Sequence, residues 1–243
     1  MSRPDITVSI VSHRQNALVN RLLADMNRYC AERVTLILTE NARDPVFLQT
    51  QECACPSHVV VNRTPKGFGA NHNAAFQLCR SRFFCVANPD IRLDSDPFPQ
   101  LLRRFTKTKN EVGVVGPLVR GPSGNVEDSA RRFPTFGVLA HRFFRTGLRP
   151  DYPTDRGAVE VDWVAGMLML FSAQAYRDVG GFDETYFMYY EDADICRRLK
   201  ATGKSVIYDP AAEVVHEARR ASRKNPRLAL HHIVSAIRFV SRA

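Results

Sequence analysis

The chain has 243 residues, 44% of them apolar and 24% charged, with 13 Gly and 14 Pro. These figures describe an ordinary globular protein and exclude a disordered, collagenous or coiled-coil chain. Lys and Arg number 34 against 25 Asp and Glu, a net charge of +9, which favours polyanions: nucleic acid, phosphorylated small molecules or an acidic membrane surface. No stretch approaches the ~20 apolar residues that span a bilayer. Met1 to Asp5 leads straight into a strand-like run and reads as lacking a signal peptide. Of the six cysteines (Cys30, Cys53, Cys55, Cys79, Cys85 and Cys196), only Cys53 and Cys55 are close. Their C-x-C spacing matches neither a zinc ribbon nor a thioredoxin-type pair, so free thiols in a cytoplasmic protein are expected.

Strand and helix signals alternate through the first half. Ile6 to Val11 is a β-branched run, and Leu18, Leu22, Leu23 and Met26 follow at helical spacing. Val34 to Leu38 and His58 to Val61 are the second and third strands. Ala70 to Leu78 is a helix, Phe83 to Ala87 a strand, Leu101 to Phe105 part of a helix, and Val112 to Val115 a fifth strand. Strands separated by helices imply an α/β fold with a mostly parallel sheet flanked by helices. Ligands in such sheets sit outside the carboxyl ends of the strands: here Ser12-His13, Thr39 to Asn41, Arg63 to Gly69, and Asn88 to Asp90.

The second half changes character. Gly121 to Gly124 marks a turn, and Arg131 to Arg156 is an irregular stretch rich in Arg, Phe, Pro and Gly. An apolar segment from Val161 to Phe171 precedes a short helix and Gly180-Gly181. Glu191 to Lys200 is a helix, acidic in its first turn and basic in its last, as the helix dipole prefers. Val206 to Tyr208 is a strand, and apolar residues recur among Arg and His from Asn225 to Ala243. Without internal repeats, one domain with a helical tail is expected.

Four segments carry residues fit for chemistry. Asn88-Pro-Asp90 ends an apolar strand, where a carboxylate can hold a divalent cation beside a phosphate, or simply make a turn. Lys66 to Asn73 brings glycines to the start of a helix, suited to a phosphate or to a structural loop with Asn71 as N-cap. Glu191-Asp-Ala-Asp194 follows the aromatic run Tyr186 to Tyr190, so a carboxylate there can act as general base beside a sugar-binding wall, or merely open a helix. His216 ends the Glu213 to Val215 strand as a ligand or as a structural histidine.

Taken in order, these segments resemble family 2 glycosyltransferases, and most of all their rhamnosyltransferase-type branch. The resemblance rests on Val8 to Ser12, Gly67-Phe-Gly69 with Asn71 and Asn73, Asn88-Pro-Asp90, Val161 to Gly166, Gly181 to Glu184, and Tyr190 to Asp194. It spans roughly residues 5 to 217. It implies a GT-A fold and an inverting transfer from a nucleotide-diphospho-sugar. By position, Ser12, His13 and Glu40 would line the nucleoside pocket, and Gly67, Phe68 and Asn71 would lie along the donor. Asn88 and Asp90 stand at the family's Asp-x-Asp site. Asp90 would engage a divalent metal, with His216 as a second ligand. Asp192 matches the catalytic base, with Glu191 beside it, and Trp163, Gly166 and Tyr190 would border the acceptor. The chain departs from the family at Asn88, where an uncharged amide replaces the first Asp. An imidazole ligand favours Mn²⁺ over Mg²⁺ alone.

The same resemblance implies residues 1–217 as the catalytic domain, with 1–116 its donor half and 117–217 its acceptor half, and 218–243 as a basic helical tail. It implies dTDP-L-rhamnose as donor, with UDP-hexose or UDP-N-acetylhexosamine as alternatives. The acceptor would be a saccharide or polyprenyl-diphosphate-linked saccharide in surface-polysaccharide synthesis, reached from the inner face of the cytoplasmic membrane. Arg131, Arg132, Arg142, Arg145 and Arg149, and Arg219, Arg220, Arg223, Lys224 and Arg227, suit a lipid diphosphate. The tail either lies on the membrane or packs on the domain or a second copy. Two rivals remain at this point: a glycosyltransferase-like binder without catalysis, and a nucleic-acid module, for which no binding motif is present. A NAD-dependent oxidoreductase lacks its Gly fingerprint after the first strand.

Overall fold

The β-branched opening run forms β1 (Ile6–His13), and the computed structural model describes residues 5–107, 111–134, 150–217 and 226–242. Helix α1 (Asn16–Cys30) buries Leu18, Val19, Leu22, Leu23 and Met26, the expected stripe. Strands β2 (Val34–Ala42) and β3 (Ser57–Val61), helix α2 (Phe68–Phe76) and strand β4 (Phe83–Ala87) follow. All four strands pair in parallel in the order β3-β2-β1-β4. Their carboxyl ends therefore share one edge.

The second half is threaded differently. After β5 (Ile91–Arg92) and α3 (Phe98–Lys107), strand β6 (Val112–Arg120) does not join β4. Past the short pieces β7 (Ala130–Arg131), β8 (Val159–Glu160) and β9 (Trp163–Val164), strand β10 (Leu168–Ser172) inserts between β4 and β6, antiparallel to both. Helices α4 (Ala173–Asp178) and α5 (Glu191–Ala201) then lead to β11 (Ser205–His216), which runs parallel to β6 and joins into one strand the two segments read from the sequence, Val206 to Tyr208 and Glu213 to Val215. Among the described residues, β5 closes the main sheet against β11, β8 pairs with β11 from the side, and β7 and β9 form a separate ribbon.

The sheet has a core on each face, assigned by the period of two along its strands. Phe84, Val86, Met169 and Phe171 face one cluster, while Cys85, Ala87, Leu168 and Leu170 face the other. The first cluster is aromatic: Tyr176 lies 4.6 to 5.7 Å from the rings of Phe76, Phe84, Phe171 and Phe182. The second packs α1 and α3 through Leu22, Met26, Phe98 and Leu101. All six cysteines are free thiols.

The last helix, α6 (Pro226–Ser241), adds Phe239 and Val240 to the aromatic core. No helix among the described residues is long and apolar enough to cross a membrane. Arg142, Arg145 and Arg149, and Arg219, Arg220, Arg223 and Lys224, lie outside the described residues.

Candidate active site

The shared carboxyl edge carries a chain of amides. Ser12 donates from Oγ to Asn16 Oδ1, and Asn16 Nδ2 donates to Glu40 Oε1 at 2.9 Å, which ties together two of the residues expected to line a nucleoside pocket. Asn41 Nδ2 lies 3.4 Å from His13 Nδ1 and donates to the Lys66 carbonyl at 3.0 Å, while Asn41 Oδ1 accepts from the Lys66 N–H at 2.8 Å. Asn62 bridges Asn41 to Asn71. Asn16 and Asn62 did not stand out in the sequence, because an Asn near the end of a strand looks like turn chemistry.

The Gly-rich turn is shaped from outside. Helix α2 begins at Phe68, so Asn71 is not the N-cap: it lies inside the helix and donates backward to the Lys66 and Gly67 carbonyls. A Cβ on Gly67 would stand 2.7 Å from the Phe187 carbonyl, which itself accepts from the Phe68 N–H at 2.9 Å. The glycine is thus required by the neighbouring backbone. Asn73 has a different duty. Its side chain receives Tyr176 Oη and the Phe182 N–H and donates to the Phe182 carbonyl, clamping the Gly181-Phe-Asp turn. His72 is buried and stays neutral, pushed down to about 3 by burial, with Nδ1 2.8 Å from Ser9 Oγ.

At the end of β4, the Asn88 N–H donates to the Met167 carbonyl at 2.9 Å. One residue earlier, the Gly166 N–H donates to Asp192 Oδ2, also at 2.9 Å. The Asn88–Asp90 turn and Asp192 therefore adjoin through the start of β10. A Cβ on Gly166 would lie 3.3 Å from Phe68 Cζ and 3.6 Å from Asp192 Oδ2, so the Gly-rich turn, Gly166 and the base candidate converge. Tyr189 and Tyr190 both adopt left-handed backbone, with φ of 71° and 67°. Such paired strain in non-Gly residues costs energy and marks positions held by function or packing. It swings the chain so that Tyr190 starts α5 and Asp192 meets Gly166.

Burial raises the Asp192 carboxyl above its ordinary range, against the N–H of Gly166, the charge of Arg131 and the N–H of Ala193, which oppose it. Burial and then the charge of Asp192 push Glu191 well above its ordinary value, and Glu191 Oε2 has no hydrogen-bond partner among the described residues. The two neighbours thus differ: Glu191 faces inward, while Asp192 meets Gly166 at the shared edge. Trp163 is only 4% exposed, its Nε1 donating to the Arg132 carbonyl and Arg131 lying 5.1 Å over its ring. It supports the β7–β9 ribbon from inside and does not present its indole to solvent.

The pairing of β5 with β11 sets His216 opposite Ile91 and hence beside Asp90. Its Nε2 lies 3.3 Å from Asp90 Oδ1, and its Nδ1 lies 2.7 Å from Glu127 Oε2. Asp90 Oδ1 is buried with no aligned hydrogen bond among the described residues. Burial alone would depress His216, but the facing carboxylates of Asp90 and Glu127 outweigh it and push the imidazole up to about 9. Arg92 anchors the turn from behind, meeting Asp25 of α1 in a two-pronged pair at 2.6 and 2.8 Å. Glu127 gave no sequence signal, because nothing in the residues around it points to His216, 89 positions on. Among the described residues no three His, Cys, Asp or Glu converge on one point. Asp90 and His216 nonetheless fit a divalent ion as a pair: a carboxylate oxygen without an aligned hydrogen bond faces a ring nitrogen that would give up its proton to the ion, and the opposite nitrogen is held by a carboxylate. A diphosphate and water would fill the rest of such a shell.

A sheet edge of this kind, with a buried carboxylate at a helix start, a Gly-rich turn and an acidic turn after β4, belongs to a transferase of GT-A architecture. The model of the family "Glycosyltransferase like family 2" matches residues 4–230, and the chain belongs to that family. It is a glycosyltransferase. It is 34% identical, over 93% of its length and 81% of the relative's, to N-acetylglucosaminyl-diphospho-decaprenol L-rhamnosyltransferase of Mycobacterium tuberculosis (strain CDC 1551 / Oshkosh). Rhamnosyltransferase WbbL of Escherichia coli (strain K12) is 27% identical over 98% of this chain and 93% of that one. Among solved structures, the mannosyltransferase PcManGT from Pyrobaculum calidifontis, in complex with GDP-Man and Mn²⁺, superposes with a TM-score of 0.69 at 14% identity. That match covers all of this chain and 66% of the other. GalNAc-T7 with UDP, GalNAc and Mn²⁺ matches with the same TM-score over 89% of this chain and 44% of its own.

Proposed function

We propose that this glycosyltransferase moves L-rhamnose, with inversion, from dTDP-L-rhamnose to the saccharide of a polyprenyl-diphosphate-linked acceptor at the inner face of the cytoplasmic membrane. The observation that carries the substrate class is the 34% identity to a rhamnosyltransferase of such an acceptor, spread over 93% of the chain. Residues 1–217 would be the catalytic unit, with 1–116 holding the donor and 117–217 the acceptor, and 218–243 an appended tail.

In this reading Asp192 takes the proton of an acceptor hydroxyl as that oxygen attacks the anomeric carbon. The bond from that carbon to the diphosphate breaks on the opposite face, and the transition state is oxocarbenium-like. Gly166 and Ala193 hold the carboxylate by their N–H groups, and burial keeps it basic enough to accept the proton. Ser12, His13 and Glu40 receive the nucleoside, and Gly67, Phe68 and Asn71 lie along the sugar diphosphate. Gly166 and Tyr190 border the acceptor, with Trp163 beneath them. Asp90 and His216 would hold a divalent ion, Mn²⁺ or Mg²⁺, with Asn88 reaching the donor or a bound water. When bound, the ion offsets the charge that develops on the leaving diphosphate. Glu127 keeps the Nε2 of His216 turned toward Asp90.

The test is transfer from dTDP-L-rhamnose to a short-chain N-acetylglucosaminyl-diphospho-lipid, read as a mass gain of one deoxyhexose and an inverted anomeric signal. Transfer from UDP-sugars alone would keep the enzyme class and overturn the donor. Binding of donors without transfer to any acceptor would overturn catalysis.

A further inference from the structure

Helix α6 has two apolar faces. On one, Ser235, Ala236, Phe239 and Val240 are buried, with the Phe239 ring 5.8 Å from both Phe133 and Tyr190. On the other, Leu230, Ile233, Val234 and Ile237 are 61%, 51%, 45% and 57% exposed. These four follow the i, i+3, i+4, i+7 spacing and fill one sector about 100° wide, opposite Phe239. Phe187, also exposed, stacks on His231 at 4.9 Å beside the stripe. A helix that has docked through one face has no folding reason for a second apolar stripe in water, and a contiguous stripe of this kind marks a contact surface.

Charge selects the occupant. From residue 218 to 243 the sequence carries Arg219, Arg220, Arg223, Lys224, Arg227, Arg238 and Arg242 and no Asp or Glu, so this stretch of sequence, of which the helix is part, holds a large share of the chain's positive charge. Two copies meeting through the stripe would bring two cationic segments together. An anionic surface is attracted by the same charges, and an apolar stripe joined to a polybasic segment supplies the two signals that reversible membrane binding needs.

Position links the stripe to the site. Ser235 Oγ donates to the Met188 carbonyl at 2.9 Å, Arg238 donates to the Thr185 carbonyl, and Arg242 pairs with Asp183 at 2.6 Å. His232 lies 5.1 Å from Tyr189 and 5.3 Å from Tyr190. This braced segment is the one whose Phe187 carbonyl holds the donor turn and whose end starts the helix of Asp192.

We propose that the Leu230, Ile233, Val234 and Ile237 face of α6 seats the enzyme on an anionic phospholipid surface, beside the loop that frames the active site. The proposal deepens the reading of a lipid-linked acceptor and rests on it for the reason the enzyme needs a membrane.

The experiment is flotation of the full chain with acceptor-free vesicles, either of phosphatidylglycerol and phosphatidylcholine or of phosphatidylcholine alone. The wild type should float with the anionic vesicles, less so at high salt, and Ile233→Ser/Ile237→Ser should lower that partition about tenfold or more. Leu78→Ser, exposed elsewhere, should leave it unchanged, and equal melting temperatures exclude misfolding. A double variant that floats like wild type overturns the proposal. So does a wild type that ignores anionic vesicles, or one that sediments as a dimer where the double variant is monomeric. Transfer to a water-soluble acceptor separates the two readings. A wild type active there but indifferent to vesicles sinks only the membrane face. A wild type that floats but transfers nothing sinks only the proposed function.

Discussion

Two carboxylates at the same sheet edge are positioned by opposite means. Asp192 is held by backbone: it opens α5 and accepts N–H bonds from its neighbour Ala193 and, 26 residues away, from Gly166. Asp90 is held by distant chain. Its partner His216 arrives on β11, Glu127 comes from the stretch after β6, and Asp25 of α1 fixes Arg92 behind it. A group held by backbone N–H groups survives side-chain changes around it. One assembled from several elements has many points at which it can be loosened.

The comparison predicts a ranking. Asp192→Asn should lower kcat by roughly a thousandfold, the scale of a lost general base, while donor-induced stabilisation stays as in wild type. Near-normal turnover would remove Asp192 from the role. Next, Asp90→Ala and His216→Ala should each abolish the extra thermal stabilisation that Mn²⁺ gives in the presence of dTDP. For a ligand at 100 times its Kd that stabilisation is about 2.7 kcal/mol. An undiminished Mn²⁺ effect in both would dismiss the ion pair.

Glu127→Gln should act on the ion site alone, weakening Mn²⁺ by about tenfold, as loss of an outer carboxylate does. Its kcat at saturating Mn²⁺ should match wild type; a lower kcat at saturation would assign Glu127 a different task. The pH profile sharpens the other centre. Since the Asp192 carboxyl is raised, kcat/KM should fall as pH drops through a value above the ~3.9 of an ordinary aspartate.

The smallest effect is Glu191→Gln. A buried carboxyl whose folded pKa is raised costs stability above its unfolded pKa and regains it as pH falls through the folded one. The glutamine should therefore raise the melting temperature at neutral pH, converge on wild type in acid, and leave turnover near normal. A large loss of turnover would move the base from Asp192 to Glu191.

Much of the parallel half was legible. A β-branched run, a helical spacing and an apolar run placed β1, α1 and β4, because residue type and periodicity are properties of each segment alone. Asn88 to Asp90, Gly67 to Asn71 and Asp192 stood out as chemistry-bearing types at strand and helix ends. The insertion of β10 between β4 and β6 was not legible, nor was the length of β11, since antiparallel insertion depends on partners far away in the chain. Asn71 was misjudged as a possible N-cap, because the turn before it is shaped by the Phe187 carbonyl, which no local pattern announces. Glu127, Asn16 and Asn62 stayed silent for the same reason: they have partners on other elements.

By itself, then, the sequence determined the alternation of elements, the faces they bury, the surplus of positive charge and the residue types at the shared edge, all of which are set by near neighbours and side-chain chemistry. Only the tertiary structure decided that His216 faces Asp90, that Asp192 reaches Gly166 while Glu191 turns inward, and that α6 docks by one apolar face and leaves another open. Those are distances between residues far apart in the chain, fixed by how sheet order and packing fold it back on itself.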